Sequence, residues 1–103
     1  MRTPPRPNNI GKNRIITGID GTKIHFTVED EIVLPQGSGK LIYFQKLRFK
    51  ADNQIEYRLT YYMLGHKPSR KGQWVFGQFS LMIPEHELSL LLTEARARGW
   101  SGI

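Results

Sequence analysis

The chain has 103 residues, 39% of them hydrophobic and 23% charged, which suits a single folded domain with one core and excludes a largely disordered chain. It has no cysteine, so disulfide bonds, thiolate catalysis and cysteine-based zinc sites are excluded together. The net charge is +6, and residues 40–72 carry all of it with eight basic and two acidic residues, which indicates an anionic partner.

Residues 1–12 are predicted to form a flexible, basic, proline-rich arm. Pro4, Pro5 and Pro7 favour extended polyproline conformations without a packed face, and Pro4 and Pro7 have a PxxP spacing that is common by chance. We expect no secretory signal here, and the apolar runs of the chain are too short to cross a membrane. With no cysteine, the expected location is cytoplasmic.

Residues 13–103 are predicted to form a single β-rich domain. "RIITGI" and "TKIHFTV" flank Asp20 and Gly21, a pair that favours a tight hairpin turn. Residues 40–50 and 54–64 alternate along their length, which is typical of half-buried antiparallel strands. A basic loop with the sequence "GHKPSRKGQW" follows, and residues 73–83 are predicted to form a further strand.

The last element is predicted to be a helix. Pro84 suits a first helical turn, and Leu88, Leu91, Leu92 and Ala95 have the spacing of one buried face. Gly99 is placed to end the helix. The fold class is therefore α+β, with a twisted antiparallel sheet of about five strands and one C-terminal helix packed on one face.

A single helix covers one side of a sheet, so the other side is expected to face solvent or a partner. Interleaved rings and cations are what single-stranded nucleic acid requires, because cations neutralise phosphates and rings stack on unpaired bases. We expect the uncovered strand face and the basic loop to form one such surface, through Phe44, Lys46, Arg48, Lys50, Arg58, Tyr62, Lys67, Arg70, Lys71 and Trp74.

Each part of this surface has an alternative interpretation. Phe44 and Ile42 fit a second core layer or a dimer interface equally well. Lys46 and its basic neighbours also fit a role in preventing strand edges from mispairing with other strands, and Arg58 also fits an ion pair with a nearby carboxylate. The loop on its own fits a solubilising hairpin tip as well as a binding element.

The order of features from residue 55 to residue 95 resembles the positive-cofactor (transcriptional coactivator) family of single-stranded-DNA-binding proteins. "YRLTYYMLGHKPSRKG" is similar to that family's aromatic strand and basic loop, and "SLMIPEHELSLLL" to its strand-to-helix junction. The resemblance implies a curved, often dimeric sheet that grips unpaired strands, with Lys67, Arg70 and Lys71 as the basic loop positions. The inserted "QWVFGQF" and the absence of tryptophan from the helix body depart from the pattern.

No catalytic or metal-binding set stands out in the sequence. "GSGK" at residues 37–40 lacks the spacing and the following helix of a phosphate-binding loop, and the three histidines are far apart without cysteine partners. We therefore expect a non-enzymatic binder of single-stranded DNA or RNA without cofactor or metal. The alternative is a protein-interaction, assembly or inhibitor module that binds an acidic protein or forms a homodimer.

Overall fold

A computed structural model describes residues 4–65 and 69–103 of the chain. Five strands form one antiparallel sheet in chain order: β1 (Asn13–Thr17), β2 (Lys23–Pro35), β3 (Lys40–Phe49), β4 (Ile55–Leu64) and β5 (Trp74–Phe76). One helix, α1 (Glu85–Ala97), follows them. The predicted α+β class, with an antiparallel sheet and a single C-terminal helix, is confirmed. Within the described ranges, no helix combines the length and the apolar character that a membrane crossing requires.

A β-bulge in β2 decides which residues of this long strand point to each side of the sheet. The register against β3 shifts between Val28, which lies opposite Leu47, and Asp30, which lies opposite Lys46. Residues directly opposite each other point to the same side, so the extra residue, Glu29, reverses the alternation of β2. Even-numbered residues of β2 therefore point to one side of the sheet before the bulge and to the other side after it.

The helix packs on one side of the sheet, which we call the helix face. Ile32, Ile42 and Phe44 point to it and form the main core with Leu91, Ala95 and Trp100. The helix ends in a Schellman motif, because Gly99 at φ 76° lets Trp100 N donate to Ala95 O at 3.0 Å. This turn directs the Trp100 ring back onto Phe44, with 5.1 Å between the ring centroids.

The opposite side of the sheet is crossed by residues 4–9, and we call it the arm face. Tyr43 Oη donates to Pro7 O at 2.6 Å, and Trp74 Nε1 donates to Pro4 O at 3.0 Å. Asn9 is 3% exposed and donates from its backbone N to Glu31 at 2.9 Å. Composition alone did not indicate these contacts of the proline-rich segment.

The arm face is therefore not the uncovered surface that the sequence analysis expected. Tyr43 and Gln45, both on this face of β3, are almost fully buried, and Phe26, Val28 and Leu47 form a second small core there. The expectation of one open sheet face is wrong over β2 and β3. The reason is that the sheet curls and residues 4–9 lie across it, so both faces carry buried side chains.

Candidate nucleic-acid interface

The pairing of β3 with β4 separates the strand residues that were predicted to act together. Phe44 lies opposite Leu59, whereas Gln45 lies opposite Arg58 and Leu41 lies opposite Tyr62. Opposite residues share a face, so Phe44 points to the helix face while Arg58 and Tyr62 point to the arm face. The single surface of rings and cations predicted for β3 and β4 does not form.

Phe44 is a core residue and not a stacking platform. It is 6% exposed and packs against Trp100 and, with 6.0 Å between ring centroids, against Tyr57. A base could reach its ring only if α1 and the C-terminal turn moved away. Of the two interpretations of this residue, the structure supports a place in the core.

Lys46 and Arg48 point to the helix face beyond the end of the helix core, and both face one carboxylate. Lys46 Nζ lies 3.8 Å from Glu29 Oε1, and Arg48 Nε donates to the other oxygen of Glu29. Arg48 Nη1 also donates to Asn53 O at 3.0 Å. The hydrogen bond from Arg48 is the main reason that the pKa of Glu29 is lowered, and this carboxylate offsets one of the two positive charges.

Lys50 and the basic loop lie at opposite ends of β4. Lys50 is exposed directly after β3, at the turn that leads into Ile55. The ten residues of β4 rise by roughly 3.4 Å each, which places that turn about 30 Å from the loop after Leu64. Among the described residues, Lys50 is therefore far from Arg70 and Lys71.

The described part of the basic loop folds back on the end of β4. Arg70 and Lys71 are exposed, and the backbone of Lys71 forms an isolated parallel β-bridge with that of Gly65. The chain comes so close here that a Cβ added at Gly65 would overlap the backbone of Arg70. Lys67, which was predicted to bind together with these two residues, lies outside the described residues.

A groove of about 920 Å³ runs along the end of β4, β5 and the segment after β5, and we call it the loop groove. Its lining is mainly apolar and includes Arg70. Phe79, which is 85% exposed, lines it, and its backbone N donates to Tyr61 Oη at 3.1 Å. Lys40 Nζ lies 4.8 Å from the centroid of the Tyr61 ring. The groove thus combines an exposed ring with one described lining cation, Arg70, and a second cation, Lys40, lies over a ring that lines it.

The contribution of Phe79 was missed because residues 73–83 were expected to form one strand. The strand ends at Phe76, and Gly77 lies directly against the Tyr61 ring, where a Cβ would overlap it. A glycine within an apparent strand often marks such a close approach, and this was the available sequence signal.

The three remaining predicted residues are on the arm face. Trp74 is half-buried and donates to Pro4 O, so its indole N–H is already used. Arg58 donates from Nε to Gln45 Oε1 at 2.7 Å, and Tyr62 packs edge-on against Phe76 at 5.3 Å. Arg58 and Tyr62 line a second, smaller cavity, whereas Trp74, and Tyr62 again, line the loop groove together with Arg70.

Over residues 4–65 and 69–103, no three histidine or acidic side chains converge as a group that could hold a metal ion. Comparisons with protein-family models, curated proteins and solved structures find no match to this chain. The support for the candidate sites therefore comes from the geometry of this chain alone.

Proposed function

We propose that the chain binds single-stranded DNA or RNA in the loop groove without acting on it chemically. The observation that carries this proposal is that Arg70 and the exposed Phe79 line one groove, beside Lys40. A cation next to an accessible ring is the arrangement that neutralises a phosphate while a neighbouring base stacks.

The charges around the groove favour this assignment over the Lys46 and Arg48 side of the sheet. Among the described residues, Lys40, Arg70 and Lys71 take part in no ion pair, whereas Lys46 and Arg48 share the carboxylate of Glu29. No acidic side chain is among the described groove residues. Counterion release by the three unpaired cations would supply most of the affinity.

The resemblance stated above gives the proposal a second support of a different kind. It implied that Lys67, Arg70 and Lys71 form a basic loop beside an aromatic strand, and Arg70 lines the groove at the end of β4. Phe79 belongs to the segment after β5, within the stretch that departs from that family's pattern. Its use for stacking is therefore proposed from this chain's own geometry.

Fluorescence anisotropy with a labelled oligothymidylate at several salt concentrations tests the proposal. Three neutralised phosphates predict a slope of log K against log[salt] of about −2, from roughly −0.7 per contact for single strands. Arg70→Glu should weaken binding at least about tenfold at low salt, and Phe79→Ala should cost about 1–3 kcal/mol of binding free energy.

Lys50→Glu is the matched control, because it reverses one exposed charge at the far end of β4. It should change affinity much less than Arg70→Glu does. Equal losses from both substitutions would show that only the total charge matters, and an unchanged affinity for Phe79→Ala would remove the groove from the proposal.

Exposed apolar side chains favour an assembly module as the second candidate function. Phe79 is 85% exposed and Met82, in the same segment, is 84% exposed, which is unusual for two large apolar residues so close in sequence. Light scattering with size-exclusion chromatography distinguishes the candidates. A homodimer that Phe79→Ser and Met82→Ser abolish, without any oligonucleotide binding, would favour assembly.

A further inference from the structure

The arm face contains a second cavity, of about 340 Å³, that the proposed function does not use. It forms because the sheet curls until side chains from both edge strands, β1 and β5, approach the same arginine on β4. We call it the arginine pocket, and its lining consists of Asn9, Arg14, Ile15, Ile16, Phe26, Arg58, Tyr62 and Phe76.

Arg58 is held in this pocket with its terminal nitrogens accessible. Its Nε donates to Gln45 Oε1 at 2.7 Å, and its Cζ lies 5.1 Å from the Phe26 ring centroid and 5.5 Å from that of Phe76. Among the described residues, no group accepts a hydrogen bond from Nη1 or Nη2, and no buried side-chain donor is left without a partner. The two Nη groups therefore reach the open part of the pocket.

Arg14 supplies a second guanidinium from β1. Its Nη2 donates to Asn9 Oδ1 at 3.1 Å, and Asn9 is fixed by hydrogen bonds of 2.9 and 3.2 Å to Glu31. The Arg14 guanidinium is thus oriented by a hydrogen bond to a buried residue, although Arg14 itself is exposed. Two guanidinium groups, each able to donate charge-assisted hydrogen bonds, therefore line the pocket.

The negative charge of Glu31 only partly balances the positive charges of Arg14 and Arg58. Glu31 is buried and already accepts from Asn9 N, Asn9 Nδ2 and, at 2.9 Å, Gln45 Nε2. Burial lowers the pKa of Arg58, and the charge of Arg14 lowers it further, which is the direction expected for a cation with too little compensation. An anion between the two guanidinium groups would relieve both effects.

We propose that the arginine pocket binds a nucleoside that carries a terminal phosphate. The phosphate would accept hydrogen bonds from Arg14 and Arg58, because guanidinium groups match phosphate oxygens in a paired geometry. The base would lie against Tyr62 and Phe76, the rings at the β4 and β5 side. A volume of about 340 Å³ is larger than an inorganic ion requires and lies at the lower end of small-ligand sites, roughly 300–1,000 Å³.

This inference does not rest on the proposed function, because the cations of the pocket, Arg14 and Arg58, are not those of the loop groove, although Tyr62 and Phe76 line both cavities. The ligand has two sources with the same chemistry, a free mononucleotide and the phosphorylated end of a strand. A 5′-phosphorylated oligonucleotide and its unphosphorylated twin distinguish them.

Isothermal titration with adenosine 5′-monophosphate, adenosine and inorganic phosphate tests the pocket. The nucleotide should bind saturably and at least about tenfold more tightly than either part alone, since only it engages both the guanidinium groups and the rings. Arg14→Gln and Arg58→Gln should each weaken it by about tenfold or more. Arg14 is exposed on β1, so its variant remains informative even if Arg58→Gln fails to fold.

Arg70→Glu is the control that separates the two sites, and it should leave nucleotide binding unchanged. Tighter binding of the phosphorylated oligonucleotide that Arg14→Gln removes would assign the pocket to strand ends. Equal binding of the two oligonucleotides, with the mononucleotide still bound, would assign it to free nucleotides. No saturable nucleotide binding, equal binding of inorganic phosphate, or indifference to Arg14→Gln would overturn the proposal.

Discussion

Gln45 Nε2 donates to Glu31 Oε1 at 2.9 Å, and both side chains are buried on the arm face. Gln45 also accepts from Arg58 through its own oxygen, while Glu31 accepts from Asn9. One amide therefore joins a carboxylate of β2 to a guanidinium of β4. The arrangement holds Arg58 and Asn9, two residues that line the arginine pocket, and Asn9 ends the N-terminal segment that crosses the arm face.

Replacing Gln45 by leucine should destabilise the protein strongly. Leucine keeps the bulk of the side chain but removes the acceptor of Arg58 Nε and one of the three hydrogen bonds that Glu31 accepts, and a buried polar group that loses its partner costs about 1–3 kcal/mol. Urea unfolding measures the loss. Gln73→Leu, the same change at an exposed position, should alter the free energy of unfolding by less than about 0.5 kcal/mol. Similar values for the two variants would contradict the role of the network.

Deleting residues 1–8 should lower stability by about 1–3 kcal/mol, because it removes the carbonyl acceptors of Tyr43 and Trp74. In a ¹H–¹⁵N spectrum, the indole N–H peak of Trp74 should move. The corresponding peak of Trp100, which donates to Asp30 at 3.0 Å, should stay in place and serves as an internal reference. Pro5→Ala, at an exposed position, is the matched control. An unmoved Trp74 peak with unchanged stability would show that the segment behaves as the flexible arm that its composition predicts.

Gly77→Ala should destabilise the protein by about 1–3 kcal/mol, the usual cost of forcing an extra methyl group into a packed site. The new Cβ would overlap the Tyr61 ring, which is buried between β3 and the segment after β5. Gly39→Ala makes the same change where nothing lies within 4 Å of the added carbon, and it should be close to neutral. Equal thermal midpoints for the two variants would mean that the close approach of Gly77 to Tyr61 is not needed.

Asp30 should make stability depend on pH in the acid range. Burial acts to raise its pKa, but hydrogen bonds from Trp100, the Glu31 backbone and Arg98 outweigh burial and lower it. The unfolded chain therefore binds the proton more tightly than the folded one. This contribution is fully present above the ordinary aspartate pKa, about 3.9, and is lost as pH falls through the lower folded value.

Asp30→Asn tests this dependence, because the amide can still accept a hydrogen bond from Trp100 but cannot ionise. The variant should be less stable than the wild type at pH 7, and the difference should shrink as pH falls below about 4. Urea unfolding at several pH values measures it, with Asp52→Asn in an exposed turn as the control for one lost charge. A difference that stays constant with pH would refute the expectation.

Local patterns predicted the elements of this protein well. The alternation of residues 40–50 and 54–64 indicated β3 and β4, and the leucine spacing after Pro84 indicated α1. Gly99 was expected to end the helix, and its positive φ does so. These features depend on neighbours within a few residues, so the sequence alone carries the information.

The placement of the site residues depended on which residues of neighbouring strands are paired and on which face of the sheet the helix covers. Both faces of β3 carry large apolar residues, so alternation assigns two faces but does not say which one the helix covers. Ile42 and Phe44 face the helix, and Leu41 and Tyr43 do not. Pairing then placed Arg58 and Tyr62 on the side away from Phe44.

The sequence by itself determined β1, β3, β4, the helix, the excess of positive charge and the basic loop, because each depends on adjacent residues, whereas β5 is much shorter than the sequence predicted. Only the tertiary structure decided that Lys46 and Arg48 share the carboxylate of Glu29, that Phe79 and Arg70 line one groove, and that Arg14 and Arg58 line one pocket. Those pairs are brought together by strand register, a bulge and the curl of the sheet, which arise from contacts between residues distant along the chain.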